Sequence, residues 1–295
     1  MTQETSMTSL RSFHRFSIGK FECTILWDGF IDHLYEGFWP NADPIELQRL
    51  IAAHDLPEGR FPMDLNPALI DTGDLKILID AGMGHNRPLF GDHMGRLGQS
   101  LANAGIKAEE IDIVLLTHLH PDHAFGLIDT KGAAAFPNAQ LVAPRADWEE
   151  WTDEANLARM DFRKIWTEGT LEAVKPYLDR VKFIEPGDTP FPGITVISGA
   201  GHSMGQCAYI VESQAEKVMF TGDVAHHHVF DPHHPEWYFH NDYDSDAEMG
   251  AETKAKIFAM AADEDIRLHG YHFPFPGLGK MQRTSAGAFQ FTSDN

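Results

Sequence analysis

The most constraining feature of this 295-residue chain is a short segment of metal-ligand residue types that follows an apolar run. Residues 117–126 read T-H-L-H-P-D-H-A-F-G, directly after I-V-L-L. His118, His120, Asp122 and His123 therefore begin where a buried strand is predicted to end, in a loop, where functional sites are usually built. Imidazole with carboxylate suits zinc, iron, manganese or nickel, and such cysteine-free sets are typical of catalytic sites. A hydrated histidine-rich loop is the alternative, but four potential ligand residues within six positions favour a metal site.

Four further segments each place a polar residue at or beyond the end of a strand-like run. They are K-I-L-I-D-A-G-M-G with Asp80, G-A-G-H-S-M-G with His202, V-M-F-T-G-D-V with Asp223, and H-G-Y-H-F-P-F-P-G-L-G with His272. Together with H-x-H-x-D-H, and in this order along the chain, they resemble the signature of the metallo-β-lactamase superfamily. The resemblance extends over most of the chain.

The resemblance implies an α/β fold, the metallo-β-lactamase αββα four-layer sandwich, and two divalent metal ions per chain. By similarity, His118, His120 and His202 hold one ion, Asp122, His123 and His272 hold the other, and Asp223 bridges them. Zinc is the expected metal, with iron, manganese, cobalt and nickel as alternatives. Asp80 is expected to orient a ligand histidine, although an aspartate that ends a strand and starts a turn is nearly as good an interpretation.

Within the superfamily, H-F-P-F-P-G-L-G resembles the branch of N-acyl homoserine lactone lactonases and methyl parathion hydrolase. The function expected from this resemblance is a dinuclear metallohydrolase that opens a lactone, in the manner of quorum-quenching enzymes. A hydrolase of phosphotriesters, aryl esters or β-lactams is the alternative within the same fold. A single-iron sulfur dioxygenase is the alternative from a different class.

Expectations for the catalytic and substrate-binding residues follow from the same resemblance. The catalytic residues are expected to be Asp122, Asp223 and His226, with His226 standing where many compact lactonases carry a tyrosine. Candidate substrate-binding residues are Phe230, Trp237, Phe273 and Phe275. The loop with His226–His228, His233, His234 and His240 is equally well interpreted as packing over a sheet edge.

Local patterns predict alternating strands and helices. The predicted strands are Phe21–Trp27, Ala68–Asp71, Leu75–Asp80, Ile113–Thr117, Gln140–Ala143, Ile194–Ser198, Cys207–Glu212, Lys217–Thr221 and Ile266–Tyr271. The predicted helices are Met94–Ala104, with Gly105 as its cap, Asn156–Leu178 and Asp246–Ala262. The candidate core positions of the second helix are Leu157, Met160, Ile165, Leu171 and Val174. Those near one face of the third helix are Met249, Thr253, Ile257, Met260 and Ala261. Asp244 or Ser245 is expected to cap the last helix.

Composition narrows the classes of partner. The 23 basic and 44 acidic residues leave a net charge of −21, which disfavours nucleic acid and anionic membrane surfaces. No apolar run is long enough to cross a membrane and the first residues lack a signal-peptide core, so a cytoplasmic protein is expected. Cys23 and Cys207 are expected to be small core residues. The chain is further expected to have a flexible lead-in over 1–15 and a single domain over 16–295. The expected partners are a small ester or lactone substrate and a second copy of the chain in a homodimer.

Overall fold

The computed structural model describes residues 12–85, 91–239 and 243–294. The strands are β1 (Phe13–Ile18), β2 (Phe21–Leu26), β3 (Gly29–Leu34), β4 (Arg60–Leu65), β5 (Ala68–Asp71), β6 (Lys76–Ile79), β7 (Ile113–Leu115), β8 (Gln140–Pro144), β9 (Val181–Ile184), β10 (Ile194–Ser198), β11 (Cys207–Ser213), β12 (Glu216–Phe220), β13 (Arg267–His269), β14 (Leu278–Arg283) and β15 (Phe289–Ser293). The α-helices are α1 (Pro44–Ala53), α2 (Leu97–Ala104), α3 (Pro121–Ala124), α4 (Arg145–Trp151), α5 (Phe162–Val174), α6 (Phe230–His233) and α7 (Ala247–Asp263). None of the helices in these ranges is long and apolar enough to cross a membrane.

The chain divides into two compact units. Unit 1 comprises Met1–Gly29 and Leu65–Ile184, and unit 2 comprises Phe30–Asp64 and Glu185–Asn295. The expectation of a single domain over 16–295 stays a prediction. Strand β1 begins inside the segment 1–15 that was expected to be a flexible lead-in, and residues 1–11 of that segment lie outside the described residues.

Unit 1 is built on a sheet with the strand order β1-β2-β5-β6-β7-β8-β9. Strands β6 to β9 are parallel to one another, and β7 consists only of buried residues, as expected for a parallel strand covered on both faces. Ile79 on β6 pairs with Leu115 on β7. The residues that follow these two strands, Asp80 and Thr117, therefore lie at the same edge of the sheet.

Unit 2 contains a sheet with the strand order β10-β11-β12-β13-β14-β15. Its strands pair antiparallel except for β12 and β13, which are parallel, with Phe220 opposite His269. Asp223 and His272 each lie three residues beyond this pair. Because the carboxyl ends of parallel strands share one sheet edge, the register brings these two side chains together. Helix α7 contributes Ile257 to the core on this sheet.

The predicted helices are partly confirmed. Helix α2 begins at Leu97, three residues after its predicted start at Met94, and it ends at Ala104 as predicted. Gly105 follows with the left-handed φ of 75° expected of a cap. Helix α7 agrees with its prediction to within one residue, and of its expected inward face Ile257 and Ala261 are buried, whereas Met249 is exposed.

The prediction of one long helix over 156–178 is wrong. A separate 3-10 turn covers Glu154–Ala158, and α5 starts only after Asp161, whose carboxylate caps it by accepting from the Arg163 amide. The later start changes the buried face. Met160 and Ile165 are exposed, Leu157 and Leu171 are only half-buried, and the inward residues are Trp166, Thr167, Gly169, Thr170, Ala173 and Val174.

Every predicted strand is confirmed, with ends that differ by at most two residues. The strands that the sequence patterns missed include β1, β9 and β15, which lie at sheet edges. Edge strands keep exposed polar residues, so their apolar alternation is weak. Cys23 and Cys207 are both buried in strands, as expected of small core residues.

Candidate metal centre

In unit 1, the ligand-type residues occupy the loop after β7 and the short helix α3. His118, His120, Asp122 and His123 are all buried, with 8% or less of each residue exposed. The ring centroids of His118 and His123 lie 4.1 Å apart, and those of His118 and His120 lie 4.5 Å apart. Pro121 is the first residue of α3, a position that needs no backbone N–H, so the chain turns into a helix directly after His120. The four side chains therefore form one compact cluster.

Asp80 holds this cluster from the end of the neighbouring strand. Its carboxylate accepts hydrogen bonds from the Thr117 amide (2.7 Å), the Thr117 hydroxyl (2.9 Å) and His123 Nδ1 (2.9 Å). Asp80 has a left-handed φ of 60°, a conformation that aspartate tolerates better than most residues. Burial raises its pKa, which the positive charge of a protonated His123 and these hydrogen bonds oppose. Asp80 is thus placed to orient the His123 ring, and the role of His123 as a metal ligand stays a prediction.

Three residues farther along unit 1 complete the surroundings of the loop. The Asp147 carboxylate accepts from the Leu119 amide at 2.7 Å, which fixes the backbone between His118 and His120. The His120 ring packs against the Trp151 and Trp166 rings, with centroids 4.7 and 4.9 Å away. Sequence reasoning missed these residues, because each lies more than 20 positions beyond the end of the motif.

In unit 2, three histidines converge on Asp223. Asp223 Oδ2 lies 3.0 Å from His272 Nε2, 3.4 Å from His202 Nε2 and 3.4 Å from His226 Nε2. All four residues are buried. His202 reaches this point from the β10–β11 loop, which lies beside the end of β12 because β11 and β12 are antiparallel neighbours. The predicted positions of Asp223, His202 and His272 are thus brought together.

The opposite ring nitrogens of two of these histidines have acceptors. His202 Nδ1 lies 2.8 Å from the Asp244 carboxylate, and His272 Nδ1 lies 3.0 Å from the Asp64 carbonyl oxygen. Both acceptors favour a proton on Nδ1, so Nε2, the nitrogen on the Asp223 side of each ring, is the atom suited to bind a metal ion. Burial raises the pKa of Asp244, whereas its hydrogen bond with His202 lowers it.

The expectation that Asp244 or Ser245 caps the last helix is wrong. Asp246 caps α7 by accepting from the Met249 amide at 2.9 Å. Asp244 lies two residues earlier in the chain, and its carboxylate points to His202 instead. The run D-S-D has an aspartate at each end, and only their tertiary contacts show which one caps the helix and which one contacts His202.

His226 is held flat against an aromatic ring. Its imidazole stacks on Phe239 with centroids 3.3 Å apart and an interplanar angle of 5°, and it lies 5.4 Å from the His272 ring at 16°. Burial lowers the pKa of His226 to about 3, so the ring is neutral at physiological pH.

Three other histidines of this loop have polar partners of their own in unit 2. His227 Nδ1 accepts from the Val229 amide at 3.2 Å, and His233 Nδ1 lies 2.8 Å from the Val229 carbonyl oxygen. His234 contacts Glu46 and Glu236. His240 lies outside the described residues.

The aromatic residues expected to bind substrate lie in different surroundings. Phe230 is fully buried against Tyr35 and Trp39, and Phe273 is fully buried in the core beside α7. Trp237 stacks on His234 and is also buried. Phe275 is half-buried, and its amide donates to the Asp64 carboxylate at 2.8 Å. A contact of any of them with substrate stays a prediction.

The donor sets of both units fit divalent metal ions. Each unit offers buried imidazoles and at least one carboxylate, a combination that binds zinc and other transition metals. Histidine ligands usually donate their second N–H to a carboxylate or carbonyl group, and His123, His202 and His272 all do so. In unit 2, the donor atoms of His202, Asp223 and His226 lie within 4.8 Å of one another.

Residues 62–264 match the family model described as the metallo-beta-lactamase superfamily. The chain belongs to the metallo-β-lactamase superfamily. The match covers more than half of the chain and includes six of the seven expected ligand positions; His272 lies beyond its end. The resemblance inferred from the sequence segments and the fold class that it implied are both confirmed.

Several relatives within the superfamily are lactonases or hydrolases. An N-acyl homoserine lactonase of Bacillus thuringiensis is 27% identical over 175 residues, which cover 54% of this chain and 62% of that protein. The match thus spans less than two thirds of the length of the curated relative. The solved structure of AidC, a dizinc quorum-quenching lactonase in complex with its product N-hexanoyl-L-homoserine, is 27% identical with a TM-score of 0.87, covering 96% of this chain and 98% of AidC. AbOPH, a hydrolase in the β-lactamase superfamily, shows the same identity, TM-score and coverage.

Proposed function

We propose that this metallo-β-lactamase superfamily member is a dinuclear metallohydrolase that opens lactones, with N-acyl homoserine lactones as the substrate class. The observation that carries the proposal is the pair of buried, pre-oriented ligand clusters, one in each unit. Likeness to the dizinc lactonase AidC over 96% of the chain supports the substrate class.

The metal content is part of this proposal. Two divalent ions, with zinc as the expected metal, are held by the seven residues named by the family signature. One ion takes His118, His120 and His202, the other takes Asp122, His123 and His272, and Asp223 serves both. The Nδ1 hydrogen bonds of His123, His202 and His272 support this assignment, because they leave each Nε2 available as a ligand.

The chemistry divides between the ions and the protein. When bound, two such ions lower the pKa of water and polarise a substrate carbonyl oxygen. Asp122 and Asp223 would hold the ions through their carboxylate oxygens. The neutral His226 is suited to donate a hydrogen bond from its ring N–H to the substrate, in an orientation set by its stacking on Phe239.

The proposed substrate is a small, uncharged ester or lactone. Phe230, Trp237, Phe273 and Phe275 are proposed to bind the acyl chain. The net charge of −21 disfavours polyanionic substrates such as nucleic acids. A cytoplasmic location and a homodimer are retained as parts of the proposal.

The test combines metal analysis with a substrate titration on the same preparation of the full chain. Mass spectrometry should find about two metal ions per chain, as expected for a two-metal site. Hydrolysis of acyl homoserine lactones of several chain lengths should be saturable and abolished by chelation. A phosphotriester, an aryl ester and a β-lactam are run in parallel. One iron per chain with oxygen consumption and no lactone hydrolysis would contradict the proposal.

A further inference from the structure

A buried ion pair lies beside the histidine cluster of unit 2, and no ligand role accounts for it. Lys254 Nζ on α7 lies 2.8 Å from Asp231 Oδ1 on α6. Asp231 is fully buried, and Lys254 is 3% exposed. Together with His202, Asp223 and His226, Lys254 lines one small cavity of this unit.

Each member of the pair also binds a backbone segment. Asp231 Oδ2 accepts from the His226 amide at 2.6 Å and from the His227 amide at 2.8 Å. Lys254 Nζ donates a second hydrogen bond, at 2.8 Å, to the Trp237 carbonyl oxygen. The pair thus connects the segment that carries His226 with the segment that leads to Phe239.

These two segments supply the two rings of the stack. The His226 imidazole lies parallel to Phe239, with Nε2 3.4 Å from Asp223 Oδ2. Backbone bonds from Asp231 set the position of His226, and the bond from Lys254 to Trp237 sets the start of the segment with Phe239. Both halves of the stack therefore depend on one ion pair.

Stability alone does not account for this arrangement. Removing two charges from water is costly, and a buried ion pair can often be replaced by apolar residues of similar volume without loss of stability. Here, however, three hydrogen bonds run from the pair to backbone groups, and two of them end at or next to His226. Charge-assisted hydrogen bonds of this kind define the geometry more tightly than apolar packing does.

We propose that Lys254 and Asp231 are positioning residues that hold the His226 ring against Phe239, at the orientation needed for substrate hydrolysis. The proposal rests on the proposed lactonase function for its catalytic consequence. The placement of the ring itself does not depend on that function, and it can be measured separately.

The test uses the zinc-loaded full chain with the double substitution Asp231→Asn and Lys254→Met. Changing both residues avoids leaving one buried charge without its counterion, which would threaten folding. The matched control is Lys256→Met, on the same helix, which removes an exposed lysine paired with Glu252. Thermal unfolding and zinc content are measured for every variant.

The first readout is independent of activity. In ¹⁵N-histidine-labelled protein, the His226 ring signals are assigned by their absence from the His226→Gln variant. Stacking 3.3 Å from Phe239 shifts these signals by the ring current, so the double variant should move them while the control leaves them in place. Unchanged His226 signals in the double variant would overturn the proposal.

The second readout is lactone hydrolysis in a double-mutant cycle with His226→Gln. Because a misplacement of about 1 Å can cost about 100-fold in rate, kcat of the double variant should fall by about tenfold or more, with zinc content and KM nearly unchanged. In the His226→Gln background the same double substitution should cost less than about twofold. An equal loss in both backgrounds would indicate a merely structural role and overturn the proposal. If the wild type hydrolyses no lactone, the proposed function fails, and the ring signals alone decide the positioning role.

Discussion

The two ligand clusters of this chain are built in opposite ways. In unit 1, His118, His120, Asp122 and His123 come from six consecutive residues, and they are shaped by one turn into a short helix. In unit 2, His202, Asp223 and His272 come from three loops whose positions are more than 20 residues apart in the chain. The first cluster is therefore a local structure, whereas the second exists only through sheet pairing.

The supports of the two clusters differ in the same way. Asp80 reaches the unit 1 cluster from an adjacent parallel strand, and its bonds to Thr117 hold the start of the loop. In unit 2, each histidine depends on a separate partner, namely Asp244 for His202 and the Asp64 carbonyl for His272. We infer that loss of one of these supporting partners disturbs a single histidine in unit 2, whereas loss of Asp80 disturbs several loop residues together in unit 1.

The largest effect should come from Asp223→Ala, because three histidines of unit 2 surround this carboxylate. We expect zinc content to fall by about one ion per chain or more, and lactone hydrolysis by about 1000-fold or more, equivalent to about 4 kcal/mol. Metal analysis and steady-state kinetics measure both. Retention of two ions and most of the activity would show that Asp223 is not needed for metal binding or hydrolysis.

Asp28 of unit 1, which lies outside the ligand cluster, should make the free energy of unfolding depend on pH. Burial raises the pKa of Asp28 to about 6, against the hydrogen bonds that its carboxylate accepts from the Met83 and Leu97 amides. Because the folded state binds this proton more tightly than the unfolded state, the free energy of unfolding should fall as pH rises from about 4 to about 6. The loss attributable to Asp28 is up to about 3 kcal/mol.

The Asp28→Asn variant isolates this contribution. Asparagine does not ionise in this pH range, so the free energy of unfolding of the variant should not fall between about pH 4 and pH 6 on account of residue 28. Any change in the hydrogen bonds with the Met83 and Leu97 amides does not depend on pH. The free energy of unfolding of both proteins is measured with denaturant at pH 4 and at pH 7. Protonation of the metal-binding histidines affects both proteins equally, so it cancels when the two pH dependences are subtracted. Identical pH dependence in the two proteins would contradict the raised pKa of Asp28.

A paired substitution compares the supports directly. Asp80→Asn and Asp244→Asn each weaken the acceptor for one ligand histidine, His123 or His202. Partners of metal ligands typically contribute about 10–100-fold in metal affinity, or about 1.4–2.7 kcal/mol. Competition with a chromophoric chelator should show weaker binding of one ion in each variant. Asp80→Asn should also lower the free energy of unfolding, because it disturbs the hydrogen bonds with Thr117. An equal loss of stability in Asp80→Asn and Asp244→Asn would contradict the difference between the two supports.

The smallest effect is expected at Asp246, two residues from Asp244. Asp246→Ala removes the cap of α7, which should cost about 1 kcal/mol of unfolding free energy. Zinc affinity and lactone hydrolysis should stay at the wild-type values. A loss of metal from this variant, but not from Asp244→Asn, would reverse the roles assigned to the two aspartates.

Local sequence patterns were sufficient for nine of the fifteen strands in the described residues and for the candidate metal-binding residues. The run I-V-L-L before His118 predicts a buried strand followed by a functional loop, because continuous apolar residues are typical of parallel central strands. Gly105 likewise predicts the end of α2, since a left-handed residue there favours glycine. Such features depend on neighbours within a few positions, and a linear pattern records them.

The partners of the ligands were decided by tertiary structure. No local sequence signal marks Asp147 and Trp166 near the first cluster, or Asp231 and Lys254 near the second. Their contacts depend on strand register and on the direction of side chains that lie far apart in the chain. The sequence by itself determined the candidate metal-binding residues, whereas only the fold decided which side chains hold them, because a hydrogen bond requires atoms within about 3 Å and a linear pattern contains no distances.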